Sequence, residues 1–147
     1  MDNIKQEILT DIRKAKNSVK IAVAWLTDSD FITVLSQKIT KNSTFVVEIV
    51  LSNHKDNREE ILSQKMGALI ELGAKIRVFG SFSPQEGNFM HCKFYIVDDE
   101  IAKSGSYNWS KAAVSNIECL DKVELESKQK LFKRLMGSSS IYPIKKS

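Results

Sequence analysis

The sequence predicts one α/β domain with a mixed, mostly parallel sheet and helices on both faces. Segments with apolar residues at alternate positions take turns with segments whose apolar residues recur every three or four positions, which indicates strands joined by helices. The stretch FVVEIVL at 45–51 is almost continuously apolar, as in a strand buried on both faces of a parallel sheet. A length of 147 residues suits a single domain with its own core.

The first half of the chain has a β-α-β-α-β pattern that follows an N-terminal helix. Ile4, Ile8 and Ile12 lie at helical spacing, which predicts an amphipathic helix over residues 2–16. The elements predicted next are a strand near 19–25, a helix over 31–39, a strand at 45–51, a helix over 58–72 and a strand at 75–79. Strands connected in this way are expected to run parallel, with the helices packed on the sheet.

The second half begins with a loop over 80–88, which is rich in Gly, Ser and Pro. Two strands joined by a tight turn at Asp98-Asp99 follow, and then a last strand and a last helix. The ranges are 91–97 and 100–103 for the two strands, 117–125 for the last strand and 128–136 for the helix. We therefore predict one domain over residues 1–136 and a loose C-terminal tail over 137–147.

Composition narrows the class of protein and its partners. The formal net charge of +4, from 22 basic and 18 acidic residues, permits a polyanionic partner without requiring one. The sequence has no apolar run of about 18 residues and no secretory signal, so we expect no transmembrane segment and a cytoplasmic location. Cys92 and Cys119 lack metal-ligand spacing and are expected to be buried thiols, and neither a metal nor a cofactor is predicted.

The residues that indicate chemistry form two short segments, HCKFYIVD at 91–98 and GSYNWS at 105–110. Side chains of a strand alternate between faces, so His91, Lys93 and Tyr95 are expected on one face. The residues between them, Cys92, Phe94 and Ile96, would then point into the core. An imidazole and an ammonium two positions apart on one face can converge on the same anion.

The second segment contains donors suited to a phosphate. Gly105-Ser106 forms a turn with a hydroxyl group, and Asn108 adds an amide. Residues 110–113 resemble the start of a helix, whose free backbone N–H groups favour anions. Together with Lys93, these groups predict a pocket for a phosphoryl group.

The pattern HxKxxxxD followed by GSxNxS resembles the phospholipase D superfamily. Within it, the chain is similar to the short, single-motif nucleases and cardiolipin-hydrolase-like members. The motifs span 91–110, and the α/β pattern agrees with the family from about residue 4. The resemblance implies the phospholipase D-like fold and metal-independent phosphodiester hydrolysis, with His91 as the nucleophile that forms a covalent phosphohistidine.

The resemblance also implies roles for the other motif residues. Lys93 and Asn108 would hold the non-bridging phosphate oxygens, with Ser106 nearby. Asp98 and Gly105 would fix the structure of the motif rather than contact substrate.

A second histidine is needed to protonate the leaving oxygen and then to activate water. His54 begins a contiguous H-K-D, but no GSxN stretch follows it, so a solvated loop residue is expected there. Short family members use a symmetric dimer with one motif histidine from each subunit, which implies a homodimer here. Family members also place a carboxylate after the GS motif to orient the histidine, and Glu118 is the candidate for His91.

The sequence leaves three functions open. The leading hypothesis is a nuclease acting on DNA or RNA, the alternative is a cardiolipin-like phospholipid phosphodiesterase, and the third is a non-catalytic nucleic-acid-binding module. Trp25 is expected mainly in the core, whereas Trp109 is expected nearer the pocket. Tyr107 and Trp109 could stack on bases, although packing is the more typical role.

Overall fold

The computed structural model describes residues 3–81, 85, 87–111, 113 and 116–141. Five α-helices and seven strands are assigned within this part of the chain. In chain order they are α1 (Ile4–Lys14), β1 (Ser18–Val23), α2 (Ser29–Lys41), β2 (Val46–Ser52), α3 (Lys55–Ile61), α4 (Gln64–Glu71), β3 (Lys75–Phe79), β4 (Lys93–Val97), β5 (Ile101–Gly105), β6 (Leu120–Val123), α5 (Leu125–Gly137) and β7 (Ser140–Ile141).

All seven strands form one sheet in the order β6-β5-β4-β1-β2-β3-β7. The predicted class, mixed α/β with helices on both faces, is confirmed, but the expectation of mostly parallel pairing is corrected. Only the β1–β2 and β2–β3 pairs are parallel, whereas the β1–β4, β4–β5, β5–β6 and β3–β7 pairs are antiparallel. Helical crossovers make the first three strands parallel, while a tight turn reverses the chain after β4. Asp98 and Asp99 are the central residues of that turn, with φ of +55° and +51°, as in a type I′ turn, and the Glu100 N–H donates to the Val97 carbonyl at 3.0 Å.

Two hydrophobic layers cover the two faces of the sheet. On one face, α1, α2 and α4 bury Ile12, Leu35 and Leu69 against the sheet. On the other face, α5 packs Phe132 and Leu135. The sheet is therefore buried on both sides at its centre, which explains the continuously apolar β2.

Strand β4 shows the consequence of this double burial. Phe94 and Ile96 pack in the α5 layer, as the alternation predicts. Tyr95 points to the other face but is also buried, at 1% exposure, and its hydroxyl donates to Asp11 at 2.6 Å. Both faces of β4 thus belong to the core, rather than one face being polar.

Two further boundaries differ from the sequence prediction. The single helix expected over 58–72 is divided into α3 and α4, because the Ser63 hydroxyl accepts the Met66 N–H at 3.2 Å and caps a new helix. Ser140–Ile141 lie in the predicted loose tail but pair with β3. Residues 142–147 lie outside the described part of the chain, and the assignment of 1–136 to one domain stays a prediction.

Candidate active site

Both motif segments meet at one edge of the sheet because of the strand directions. β4 runs antiparallel to β1, which places Lys93 beside Val23 at the carboxyl end of β1. β5 returns along β4 and brings Ser104 opposite Phe94. The carboxyl end of β2, at Ser52, lies at the same edge, since β1 and β2 are parallel and in register there. This edge is where open α/β sheets usually bind ligands.

His91 and Lys93 lie together at the start of β4. His91 is exposed and precedes the strand, which begins at Lys93 rather than at His91. The Lys93 ammonium donates to the backbone carbonyl of His91 at 3.2 Å. The Phe89 ring contacts the His91 imidazole with the ring centroids 4.9 Å apart. The hydrogen bond holds the ammonium beside the backbone of His91, and the ring contact packs the imidazole against Phe89.

Gly105 and Ser106 end β5 against the backbone of Cys119. A Cβ atom at Gly105 would overlap the Cys119 carbonyl oxygen, so only glycine fits at this position. The Ser106 N–H donates to the Cys119 carbonyl at 3.1 Å, and the Cys119 N–H donates to Ser106 Oγ at 3.0 Å. The exposed Ser106 hydroxyl keeps its own proton free to donate.

The segment with Asn108 crosses from β5 to the end of β1. The Trp109 N–H donates to the Trp25 carbonyl at 3.0 Å, and the N–H groups of Thr27 and Asp28 donate to the Trp109 carbonyl at 2.9 and 3.0 Å. Asn108 is half-buried, and its Oδ1 is buried and accepts no hydrogen bond from the described residues. An unpaired buried acceptor costs about 1–3 kcal/mol, and such atoms call for an explanation such as a functional role.

Asp98 lies at the opposite end of β4, away from His91. Its carboxylate accepts the N–H groups of Lys16, Asn17 and Ser18 at 3.0, 2.6 and 3.0 Å. Burial alone would raise the pKa of Asp98, but these backbone hydrogen bonds favour the ionised form, so the pKa lies below its ordinary value. Asp98 therefore ties the β4–β5 turn to the loop between α1 and β1.

This arrangement predicts a pH-dependent stability contribution from Asp98. A carboxylate with a lowered folded-state pKa stabilises the fold above its unfolded pKa of about 4. That stability is lost as the pH falls through the lower folded value. We expect Asp98→Asn to reduce the free energy of unfolding by about 1–2 kcal/mol near neutral pH, and the difference to shrink in acid, as measured by urea unfolding between neutral and acidic pH.

Asp99→Asn is the matched control, because Asp99 shares the positive φ and pairs only at the surface, with Lys20 at 3.0 Å and with Gln129 at 3.4 Å. We expect a smaller effect there. A stability difference for Asp98→Asn that does not change with pH would contradict the assigned role of the carboxylate.

Glu118 directly precedes the Cys119 backbone that pairs with Ser106, so it lies at the same edge as the motifs. Burial raises the pKa of Tyr107, and the charges of Asp28 and Glu118 add to that shift. Within the described residues, no hydrogen bond joins Glu118 to His91. Orientation of the imidazole by Glu118 stays a prediction.

The two tryptophans are placed opposite to expectation. Trp109 is buried at 2% exposure and stacks on Phe31 with centroids 4.6 Å apart, and Tyr107 is buried at 4%. Trp25 instead is half-buried at the edge of the sheet. The backbone of Trp109 borders the site, but its ring belongs to the core.

Four rings form a group at this edge, which we call the ring cluster: Trp25, His54, Phe89 and His91. The Trp25 ring lies 5.4 Å from His54 and 5.6 Å from Phe89, and Phe89 lies 6.4 Å from His54. The sequence prediction of a solvated loop residue for His54 is thus corrected, since its side chain is 28% exposed and its ring contacts Trp25 and Phe89. The feature of the sequence that could have predicted the ring cluster is the position of its residues. Trp25 and His54 follow β1 and β2, Phe89 and His91 precede β4, and these strand ends share one edge.

His54 is further fixed as the N-cap of α3. Its Nδ1 accepts the backbone N–H of Asp56 at 3.1 Å, so the proton of the neutral ring resides on Nε2. This cap orients the ring toward Trp25 and Phe89.

Asn57 is a buried clasp beneath the ring cluster, fully buried at 0% exposure. Its Oδ1 accepts the Leu26 N–H at 3.0 Å, and its Nδ2 donates to the carbonyls of Ala24 and Ser52 at 2.7 and 2.9 Å. The side chain thus joins the ends of β1 and β2 on either side of Trp25. Sequence reasoning did not single it out.

Residues 110–113 differ from the predicted helix start. The Ala113 N–H donates to the Ser110 carbonyl at 3.3 Å, and the Asn116 N–H donates to the Ala113 carbonyl at 3.1 Å. These are the i to i+3 bonds of a tight 3₁₀-type turn, and 112, 114 and 115 lie outside the described residues.

Three other expectations concern cysteines, metals and membranes. Cys92 is half-buried and burial raises the pKa of its thiol, whereas Cys119 is exposed, so only the first fits the expected burial. In the described ranges, no three or more His, Cys, Asp or Glu side chains are grouped as a metal site. No helix there has the length and apolar character to cross a membrane.

The fold and the paired motif segments define a phospholipase D-like domain. Residues 8–136 match the sequence profile described as "Cardiolipin synthase, PLD-like domain". The chain belongs to this phospholipase D-like family, which confirms the resemblance seen in the motifs. Comparison with curated protein sequences gave no match.

Solved structures share the fold over nearly the whole chain. NucT from Helicobacter pylori has a TM-score of 0.76 at 23% identity, covering 94% of this chain and 90% of that one. Nuc from Salmonella typhimurium, a phospholipase D family member, has a TM-score of 0.74 at 21% identity with the same coverage. The archaeal chromatin protein TrmBL2 has a TM-score of 0.67 at 13% identity, covering 94% of this chain and 51% of that one. At these identities the likeness concerns the fold.

Proposed function

We propose that this protein is a metal-independent nuclease that cleaves phosphodiesters through His91. The observation that supports it most is the meeting of exposed His91, Lys93 and the half-buried Asn108 at one edge of the sheet. Membership of the phospholipase D-like family supports phosphodiester chemistry at these residues. The fold shared with NucT and Nuc supports a nucleic acid as substrate.

The proposed reaction has two displacements at phosphorus. In the first, a His91 ring nitrogen bonds to phosphorus while the bond from phosphorus to the leaving oxygen breaks, and that oxygen takes a proton from a second histidine. In the second, water bonds to phosphorus and the phosphorus–nitrogen bond breaks, and the water proton goes to the same second histidine. The Lys93 ammonium and the Asn108 amide would stabilise the negative charge on the non-bridging oxygens, with Ser106 nearby and Glu118 orienting His91.

The second histidine in this proposal is the partner subunit's His91. His91 is exposed, so a two-fold axis beside it would place two imidazoles at one shared site. The other histidine of this chain, His54, has one ring nitrogen occupied by the α3 cap. A homodimer therefore supplies the acid and base that one chain lacks.

A mixed dimer tests the shared site. We expect a purified dimer of one wild-type and one His91→Ala subunit, selected by two different affinity tags, to be as inactive as the His91→Ala homodimer. A wild-type dimer carrying the same two tags is the control. A mixed dimer with half of the wild-type activity would show that each chain acts alone.

The substrate is tested with labelled DNA and RNA oligonucleotides and with cardiolipin vesicles, all in excess EDTA. Cleavage of either oligonucleotide supports the nuclease, and the ratio of the two rates shows whether DNA or RNA is the preferred substrate. Hydrolysis of vesicles alone would favour a lipid phosphodiesterase. TrmBL2 shares the fold and is described with a mode of DNA binding, so DNA binding without a trapped phosphohistidine would favour a binding module.

A further inference from the structure

We propose that Trp25, His54 and Phe89 form a stacking surface for the bases of single-stranded nucleic acid, beside the phosphodiester held at His91. This inference rests on the proposed function and narrows its substrate. These three rings would recognise bases. The residues that bind phosphate cannot do so, because the sugar-phosphate backbone is the same at every nucleotide.

The surface adjoins both motif segments. Phe89 lies between the two histidines of the chain, with its centroid 4.9 Å from His91 and 6.4 Å from His54. The Trp25 carbonyl accepts the Trp109 N–H at 3.0 Å, which ties Trp25 to the segment that carries Asn108. A base stacked here would therefore lie next to a phosphate held between His91 and Asn108.

These three rings are more exposed than most other aromatic side chains in the described part of the chain. Most of those are buried: Phe31 at 0%, Phe94 at 3%, Tyr95 at 1%, Tyr107 at 4%, Trp109 at 2% and Phe132 at 4%. Trp25 and Phe89 are half-buried, and the His54 side chain is 28% exposed. The partly exposed rings thus gather at the edge where the proposed reaction takes place. Flat faces of aromatic rings stack on any base, so such a surface is tolerant of sequence.

Local structure holds the rings in place before substrate binds. The Asn57 clasp joins the residues on both sides of Trp25. Phe89 pairs with Gly80 in an isolated bridge, and Gly80 has φ of +86° in a position where a Cβ atom would overlap the Asn88 carbonyl. A rigid surface loses less conformational entropy when a ligand binds. Bases of a duplex are already stacked on each other, so the surface favours a single strand.

The test compares Trp25→Ala and Phe89→Ala with the matched variant Trp25→Phe, all in a His91→Ala background that prevents cleavage. The affinity of each protein is measured by fluorescence anisotropy for a short single-stranded thymidine oligonucleotide and for an abasic strand of the same length. The parent should bind the thymidine strand on the order of ten- to a hundredfold more tightly than the abasic strand. Each alanine variant should lose most of this preference, and Trp25→Phe should keep it.

Two results would overturn the stacking surface: equal affinity of the parent for both strands, or the same preference ratio in the alanine variants as in the parent. Quenching of tryptophan fluorescence by the thymidine strand but not by the abasic strand supplies a second readout, and this quenching should be absent from Trp25→Phe, in which Trp109 is the remaining tryptophan. Cleavage of the abasic strand by the wild-type protein tests the proposed nuclease separately. Base preference without any cleavage would reject the nuclease and retain the stacking surface.

Discussion

Replacing His91 by alanine is expected to slow phosphodiester cleavage by about 10⁴-fold or more. The alanine removes the ring nitrogen that bonds to phosphorus in the first displacement, so no covalent intermediate can form. Such a loss corresponds to about 5.4 kcal/mol or more of transition-state stabilisation. KM should change far less than kcat, because Lys93 and Asn108 still bind the phosphate. Initial rates on the best oligonucleotide in EDTA measure both constants.

A direct test of the covalent step is acid quenching with substrate labelled at the scissile phosphate. The label should stay on the wild-type protein with the acid lability of a phosphohistidine, and should be absent from the His91→Ala protein. Lys93→Ala is expected to lower kcat by about 10²–10³-fold, since one charged donor is lost. Lys75→Ala is the matched control, because this exposed lysine begins β3 at the opposite edge of the sheet. Retention of a tenth of the wild-type rate in His91→Ala would reject His91 as the nucleophile.

The elements and the motif edge were predictable because they depend on local patterns. The apolar run at 45–51 and the Asp98-Asp99 turn carry their structure in their own residues, and both occur as predicted. The spacing from His91 to Asn108 brings the two segments to one edge once β4 and β5 form a hairpin. Because the sequence predicts the hairpin turn, it also predicts that these two segments lie at one edge of the sheet.

The features of the fold and of the site that the sequence did not predict depend on contacts between distant parts of the chain. Trp109 lies within the GSYNWS segment and was expected near the pocket, but Phe31 buries its ring, whereas Trp25 lies at the rim. The position of β4 next to β1, rather than beside a parallel neighbour, follows from packing of the whole sheet. The aromatic neighbourhood of His54 likewise requires Phe89, which is 35 positions further along the chain. No local pattern specifies such pairings.

The buried side chain of Asn57 is expected to contribute strongly to the stability of the fold. Asn57→Asp is expected to lower the free energy of unfolding by about 3–5 kcal/mol. In the wild-type protein, Nδ2 of Asn57 donates to the carbonyls of Ala24 and Ser52. In the variant, a carboxylate oxygen would replace Nδ2 and face these two carbonyls. Both carbonyls would lose the donor Nδ2, although the Ser52 hydroxyl still donates to the Ala24 carbonyl, and a buried charge would face these oxygens. Urea unfolding at neutral pH measures the loss.

The pH dependence of this variant has a definite sign. A buried, unpaired carboxyl has a folded-state pKa above the unfolded value of about 4, so the destabilisation is smallest in acid and grows as the pH rises through the folded value. Asn53→Asp is the matched control, because half-buried Asn53 donates to Gly80 at 3.5 Å and makes no other side-chain hydrogen bond to the residues that the structure describes. Its loss should stay below about 1 kcal/mol. Equal losses in the two variants would show that Asn57 is not the clasp, and the rings of Trp25 and His54 would then owe their positions to other contacts.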